Sequence, residues 1–302
     1  MGEFSADWLA LREPADHRSR AAAATEMAVA SVRERMAGGA AGVSILDLGT
    51  GSGSNVRFLS PLLPPLQDWC VVDRDLDLLG ELTKQMSARG LDRGGTISGH
   101  PRDFSIRASD FNWRFALCTV DLARLGDVSQ PESLREVFAG RALVTASALL
   151  DLVSERWMQA LVSRCVEARA AALFALTYDG RIRLEPGDVD DEWVIGLVNR
   201  HQRTAKSFGK ALGPDATACA ERLFAAASYH VVCAPSDWIL EPSDAGLQRP
   251  LLDGWADAAA ELARRHVPRV REWQARRQTQ LEGGTLRITV GHQDLVACPI
   301  EA

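Results

Sequence analysis

Paired cysteines are missing from this sequence. Its six cysteines (Cys70, Cys118, Cys165, Cys219, Cys233 and Cys298) are scattered, none in a Cys-x-x-Cys spacing, and several sit inside apolar runs. That excludes a zinc knuckle or a dense disulfide frame and predicts reduced core residues in a cytoplasmic protein. No apolar run is long enough to cross a membrane, and the N-terminus has no apolar signal region. Positive charge is not in excess either. The net charge of -6 argues against nucleic acid as the default partner. No internal repeat and no separate RNA- or DNA-binding segment is visible. What remains is a chain of 302 residues with ordinary apolar and charged content, enough for one large domain or one domain with a cap.

One stretch organises the rest. Val43-Ser44-Ile45-Leu46-Asp47-Leu48 is an apolar run closed by a carboxylate, and Gly49-Thr50-Gly51-Ser52-Gly53 follows it. A short apolar run bounded by turn signals reads as a buried parallel strand. Alternating glycines let the backbone bend sharply and approach a ligand. Asn55 to Leu59 then reads as the start of a helix, whose free N–H groups suit an anionic group. A dinucleotide fingerprint G-x-G-x-x-G places its third glycine at position 54, but that residue is Ser54.

The form found, D-x-G-x-G-x-G, resembles motif I of the class I (Rossmann-like) S-adenosylmethionine-dependent methyltransferases. The resemblance implies an α/β fold: a seven-stranded, mostly parallel sheet with helices on both faces and a final antiparallel strand. It also implies S-adenosyl-L-methionine as cofactor, with Gly49, Thr50, Gly51 and Gly53 under its amino acid end and Asp47 near its ammonium group. An N-terminal helical cap, residues 1–42, precedes the methyltransferase domain, residues 43–302. Within it, Asp16 to Met36 reads as one helix ending at Gly38-Gly39. Family members often cover the cofactor with such a helix, so Arg20, ahead of Arg12 and Arg18, is the expected partner of the cofactor carboxylate.

Further strands follow in order. Trp69 to Asp73 is the second, and Asp73 lies near the roughly 20-residue spacing at which an acidic residue meets a ribose diol. Its carboxylate is acceptor-only and suits two hydroxyl donors. Arg74 is expected over the adenine face. Leu91 to Arg114 reads as an extended excursion with one short strand at Thr96 to Gly99. Phe115 to Ala123 is the third strand. The resemblance assigns the adenine amino group to Asp121 and the neighbouring backbone contact to Leu122, whereas Asp121 as a plain turn cap is the alternative. The fourth strand, Ala142 to Leu150, departs from the family pattern: its polar groups are Thr145, Ser147 and Asp151, of which Ser147 is taken as a cofactor contact. The helix after it buries Leu150, Val153, Trp157, Leu161 and Cys165 on one face. The fifth strand, Ala171 to Asp179, is broken by Gly180.

Residues 185–214 are longer than an ordinary connection and read as a substrate lid. They contain Asn199-Arg200-His201-Gln202-Arg203-Thr204-Ala205-Lys206. Such a cluster suits an anionic or polar aromatic substrate, and a solvated basic helix is the alternative. Tyr178, Asp179, His201, Arg203 and Lys206 are therefore the substrate candidates. His201 is the preferred base, because imidazole titrates near neutrality, and Tyr178 is the second catalytic candidate. Ser228 to Ile239 is the sixth strand, and Leu251 to Gln280 a helix interrupted at Pro268. Its arginines, with Glu261 and Glu272 among them, read as a charged outer face. Leu286 to Ala297 is the last strand, with Gly291 marking a bulge and His292 structural.

The expected activity is methyl transfer to an oxygen or nitrogen of a small polar molecule. An NAD-dependent oxidoreductase and a non-catalytic nucleoside-fold scaffold are the two alternatives.

Overall fold

Apolar runs that end in acidic or small residues become the strands of one sheet. The computed structural model describes residues 5–37, 39, 41–127 and 132–300. Helices α1 (Ala6–Ser19) and α2 (Ala22–Ala37) come first. Then follow β1 (Val43–Leu48), α3 (Ser54–Leu59), β2 (Leu66–Asp73) and α4 (Leu76–Asp92). A hairpin, β3 (Thr96–His100) and β4 (Asp103–Arg107), leads into β5 (Asn112–Thr119) and a 3-10 turn, Leu122–Gly126. Next come α5 (Glu132–Glu136), β6 (Leu143–Ser147), a 3-10 turn at Leu150–Leu152, α6 (Glu155–Ala168) and β7 (Ala171–Glu185). Helix α7 (Asp191–Gln202) is followed by the two-residue strands β8 (Ala205–Lys206) and β9 (Gly209–Lys210) and by α8 (Ala216–Ala226). The chain closes through β10 (Tyr229–Pro235), β11 (Trp238–Leu240), α9 (Ala245–Leu262), α10 (Val267–Glu282) and β12 (Arg287–Pro299).

The sheet runs β10-β12-β7-β6-β1-β2-β5-β4-β3, and β11 pairs with β12. Within it β5, β2, β1, β6 and β7 are mutually parallel, while β12 is antiparallel to both β7 and β10. This core is the expected seven-stranded sheet with its final strand reversed, extended by the β3–β4 hairpin on one edge. That hairpin accounts for most of the excursion between Leu91 and Arg114.

Helices cover both faces because the central strands, β1 and β6 above all, are apolar on both sides. On one face α2, α3 and α4 pack Ala28, Val32, Val56, Leu79 and Leu82 against Ile45, Trp69 and Val71. On the other, α6 and α8 pack Trp157, Leu161, Cys165 and Phe224 against Leu46, Val72, Val144 and Phe174. Each such aliphatic or aromatic side chain contributes about 1.5–3 kcal/mol by leaving water. A third apolar cluster joins α7, α9 and α10 to the far ends of β7 and β12, through Leu184, Val194, Leu252, Trp273 and Ile288. All six cysteines are free thiols. No helix among the described residues is long and apolar enough to cross a membrane.

Several boundaries differ from expectation, each for a local reason. The N-terminal helix is two helices, because Arg20 leaves the helical region (ψ 132) and the Ala21 N–H donates to the Asp294 carboxylate at 2.9 Å. Gly38, at its expected end, lies outside the described residues. The third strand stops at Thr119, so Val120 to Ala123 turn away from the sheet. Strand β7 does not end at Gly180. That glycine takes φ +91 inside a bulge, and the pairing with β12 shifts register between Val290 and His292. Gly291 faces the same bulge, where an added Cβ would clash with Asp179 Oδ1. The sixth strand divides at Ser236 and Asp237 into β10 and β11. The C-terminal helix breaks at Ala263–His266, and Pro268 sits in the first turn of α10, where its missing N–H costs nothing. The expected lid becomes the end of β7, helix α7 and the β8–β9 hairpin.

Candidate functional site

A cavity of about 570 Å³ opens at the carboxyl ends of β1, β2, β5 and β6. The chain supplies its floor from the β1–α3 turn. Gly49 and Gly51 take φ +63 and +54, which a side chain tolerates poorly. A Cβ on Gly51 would lie 3.0 Å from Leu9 Cδ1, so glycine also lets α1 close over the turn. Leu9, Arg12 and Asp16 of α1 form that roof.

Asp47 lies at the end of β1 and is fully buried. Its Oδ1 accepts from Asn55 Nδ2 at 2.7 Å, while its Oδ2 has no hydrogen-bond partner. Burial pushes the Asp47 carboxyl up from 3.8 to about 6, opposed in part by Thr50, Asn55 and the charge of Arg20. The nearby Thr50 hydroxyl eases the carboxylate but makes no well-formed hydrogen bond to it. A buried carboxylate oxygen short of donors is costly, and a cationic or N–H group in the cavity lowers that cost.

Asp73, at the end of β2, has both oxygens engaged and still turned to the cavity. Its Oδ2 accepts from Gly51 N at 2.8 Å and its Oδ1 from Asp75 N at 3.0 Å. An ionised carboxylate has about four acceptor sites, so two remain for a diol. Asp75 is the N-cap of α4, accepting from Asp77 N and Leu78 N. Asp121 lines the cavity and also caps the 3-10 turn, its Oδ1 accepting from Ala123 N at 3.0 Å. The cap is therefore present, and the same residue borders the cavity. Arg74, Leu122 and Ser147 are on the wall as well.

The opposite wall comes from the end of α7 and the segment after it. His201, Thr204, Lys206 and Phe208 line it, and so does Glu261 at the end of α9. His201 Nε2 lies 2.8 Å from Glu261 Oε2. With the carboxylate as acceptor, Nε2 carries the hydrogen and Nδ1 is the free acceptor. Lys206 is half-buried, and burial lowers its ammonium from the ordinary value, opposed by Glu261 and Asp151. Among the described residues no carboxylate lies within ion-pair distance of it.

Five expected site residues are not on this wall. Gly53 begins α3 with φ +85, and a Cβ there would meet Leu82 at 2.7 Å. Its smallness serves helix packing. Arg20 lies behind the floor, its Nη1 donating to Asn55 Oδ1 at 2.8 Å and its Nε 3.5 Å from Asp294. Arg12 is the arginine of α1 that reaches the cavity, where it pairs with Asp16 at 3.0 Å and stacks on Trp238. Tyr178 is buried, donates its hydroxyl to Asn199 Oδ1 at 2.8 Å, and has its phenol pushed up by burial, which removes it as a base. Asp179 is held by Arg181 at 2.8 Å and Arg203 by Asp215 at 2.8 Å, both away from the cavity. His292 is buried, and burial lowers its imidazole to about 3, in keeping with a structural role.

Sequence reasoning missed Asn55, Leu149, Phe208 and Glu261 on the wall. Asn55 had a signal, since it stands in the first turn of the helix after the glycines. Glu261 had none, because it stands between Ala260 and Leu262, just before Arg264 and Arg265, and reads as one more charge on an outer helix face.

No protein-family model and no curated protein matches this sequence. Solved structures do resemble it. The YcgJ protein of Bacillus subtilis is 11% identical, covering 90% of this chain and 99% of its own, with a TM-score of 0.43. The cyclopropane synthase MmaA2 of Mycobacterium tuberculosis is 10% identical over 97% of this chain and 94% of its own, with a TM-score of 0.45. A SAM-dependent methyltransferase of Thiobacillus denitrificans, solved with S-adenosyl-L-homocysteine, is 11% identical over 98% and 99%, with a TM-score of 0.43. The sheet order, five parallel strands followed by a reversed strand inserted before the edge, is the arrangement expected from motif I. By that topology the chain has a Rossmann-like α/β fold, a mostly parallel sheet with helices on both faces and a reversed final strand.

Proposed function

We propose that the chain is an S-adenosylmethionine-dependent methyltransferase acting on an oxygen or nitrogen of a small polar molecule. The observation that carries this reading is the unpartnered, buried Oδ2 of Asp47. Asp47 lines the same cavity as the glycine turn and Asp73. Those residues fit the proposed cofactor: Asp47 for an ammonium, Asp73 for a ribose diol, and Asp121 with Leu122 for an adenine edge. When bound, the cofactor supplies an electrophilic methyl group on a sulfonium centre.

The residues of the chain then align and dry the site. Alignment of nucleophile and electrophile supplies roughly 7–11 kcal/mol of barrier reduction. Phe208, Leu149 and Leu152 bring apolar surface to the wall. Lys206 offers a cation with no carboxylate of its own, which suits an anionic or polar group on the substrate. His201 Nδ1 accepts the proton of an oxygen acceptor, and Glu261 balances the imidazolium that results. A nitrogen acceptor that arrives neutral needs less of this help. No membrane or nucleic-acid surface enters the reading.

Parallel calorimetric titrations with S-adenosylmethionine, S-adenosylhomocysteine and NAD test it. Micromolar binding of the adenosyl pair and none of NAD is the expected result. Binding of NAD alone overturns the proposal in favour of an oxidoreductase.

Binding has a predicted pH dependence with a definite sign. The free Asp47 carboxyl is raised to about 6, and only its ionised form pairs with an ammonium. Affinity is therefore full above that value and declines as pH falls through it. Between pH 7 and pH 5 the dissociation constant of S-adenosylhomocysteine is expected to rise about tenfold, with proton release on binding near pH 6. Titration in buffers of different ionisation enthalpy reads both. A flat profile from pH 5 to 7 removes Asp47 from the ammonium role.

A further inference from the structure

Resting on the methyltransferase reading, we propose that Glu261 is a positioning residue of this site. It acts through His201 and holds the 201–208 segment over the cofactor. That segment runs along the cavity wall as a strap and is pinned at both ends. One pin is apolar: Phe208 packs edge-on against the buried Trp157 at 5.7 Å and bridges to Val153, and the Leu212 N–H donates to Val153 O at 2.8 Å. The other pin is polar, the 2.8 Å contact between His201 Nε2 and Glu261 Oε2. Between the pins stand Thr204, Ala205, Lys206 and Ser207, all on the cavity wall.

The two pins differ in how readily they release. Phe208 and Trp157 lose apolar contact if they part, and water does not replace it. Glu261 is 68% exposed at its side chain while His201 is only 15% exposed. Water can therefore take over the carboxylate, and the strap opens from the α9 side.

Glu261 stands where its own helix does not favour it. It lies in the last turn of α9, which has no basic residue, and the helix macrodipole disfavours a carboxylate there. Its partner is the imidazole. His201 is at the end of α7, where the dipole favours positive charge. The His201 carbonyl accepts from Thr204 N at 3.1 Å and from Thr204 Oγ1 at 2.8 Å, so the ring and the start of the strap move together. Fixing the ring on Glu261 thus fixes both Nδ1 and the strap.

The test is the release rate of prebound, radiolabelled S-adenosylhomocysteine, chased with excess unlabelled compound. Glu261→Ala is expected to release it about threefold faster than wild type, the size of one exposed ion pair. Glu261→Gln keeps an oxygen acceptor for Nε2–H and restores most of the wild-type rate. His201→Asn gives the same acceleration as Glu261→Ala, and the double variant adds nothing, because the two act as one contact. An unchanged rate in Glu261→Ala, or additive effects in the double variant, overturns the inference while leaving the cofactor assignment intact. If the wild type binds no S-adenosylhomocysteine, the cofactor assignment falls and this inference with it.

Discussion

Replacing Asp73 by alanine is expected to weaken S-adenosylhomocysteine binding at least about a hundredfold. Two hydrogen bonds from ribose hydroxyls to a charged acceptor contribute about 1.5–3 kcal/mol each. Together they amount to a factor of roughly a hundred or more. Asp73 also holds the cradle: its carboxylate accepts from the N–H groups of Gly51 and Asp75 at 2.8 and 3.0 Å. Its removal frees the turn under the cofactor as well as the diol contact. Asp73→Asn retains one acceptor oxygen and is expected to fall between the two. Calorimetry measures the affinities, and circular dichroism checks that α4 still forms, since its own cap is Asp75. A dissociation constant within about threefold of wild type, from a folded variant, removes Asp73 from the ribose role.

How much of this was legible beforehand follows from where each signal lies. The β1 turn, Asp73 and Asp121 are read from short stretches whose local sequence decides their structure: apolar run, carboxylate, glycine. Each of these lines the cavity except Gly53, whose role depends on Leu82, a residue 29 positions away. The reversed last strand was legible only through the resemblance, which implies an antiparallel final strand; α10, ending at Glu282 just before it, gives no local sign of its direction. Long-range placement was not. Nothing local says that the helix from Asp16 breaks at Arg20, because the group that breaks it is Asp294, at the other end of the chain. Gly180 looks like a stop, yet β12 supplies a bulged partner that carries β7 on to Glu185. That extension takes Tyr178 and Asp179 away from the cavity, so both failed as site residues for one reason. His201 and Lys206 reached the wall, while Arg203, in the same run, turned to Asp215. A run of polar residues announces a functional segment without saying which faces turn inward.

Asp294 carries the second large effect. It is fully buried, and three groups depend on it. Its Oδ2 accepts from Ala21 N at 2.9 Å, where the N-terminal helices part. Its Oδ1 accepts from Leu176 N at 2.8 Å, beside a left-handed turn of β7 at φ +54. The Arg20 guanidinium lies 3.5 Å away, with a side chain only 2% exposed. Burial lowers the pKa of that guanidinium, and Asp294 is the first charge opposing the shift. Asp294→Ala leaves one buried cation without its counter-ion and two N–H groups without acceptors. Breaking a buried pair from one side costs about 3–5 kcal/mol, which is a large part of an ordinary stability of about 5–15 kcal/mol. Urea unfolding of the ligand-free protein reads the loss directly, and Asp294→Asn, which keeps the size and one acceptor, is expected to lose less. A loss below about 1 kcal/mol in Asp294→Ala means that water replaces the carboxylate and that this core is not dry. The consequence reaches the cavity through a single chain of contacts. Arg20 donates to Asn55, and Asn55 donates to Asp47 at 2.7 Å and to Thr145 at 3.1 Å. If Arg20 shifts, Asn55 loses the partner that fixes its amide orientation, and with it Asp47 loses its donor. Asp294→Asn, if it folds, is therefore expected to weaken S-adenosylhomocysteine binding although Asp294 itself lines no part of the cavity. The last strand thus braces the first turn, and the proposed cofactor pocket depends on a carboxylate about 250 residues from its glycine motif.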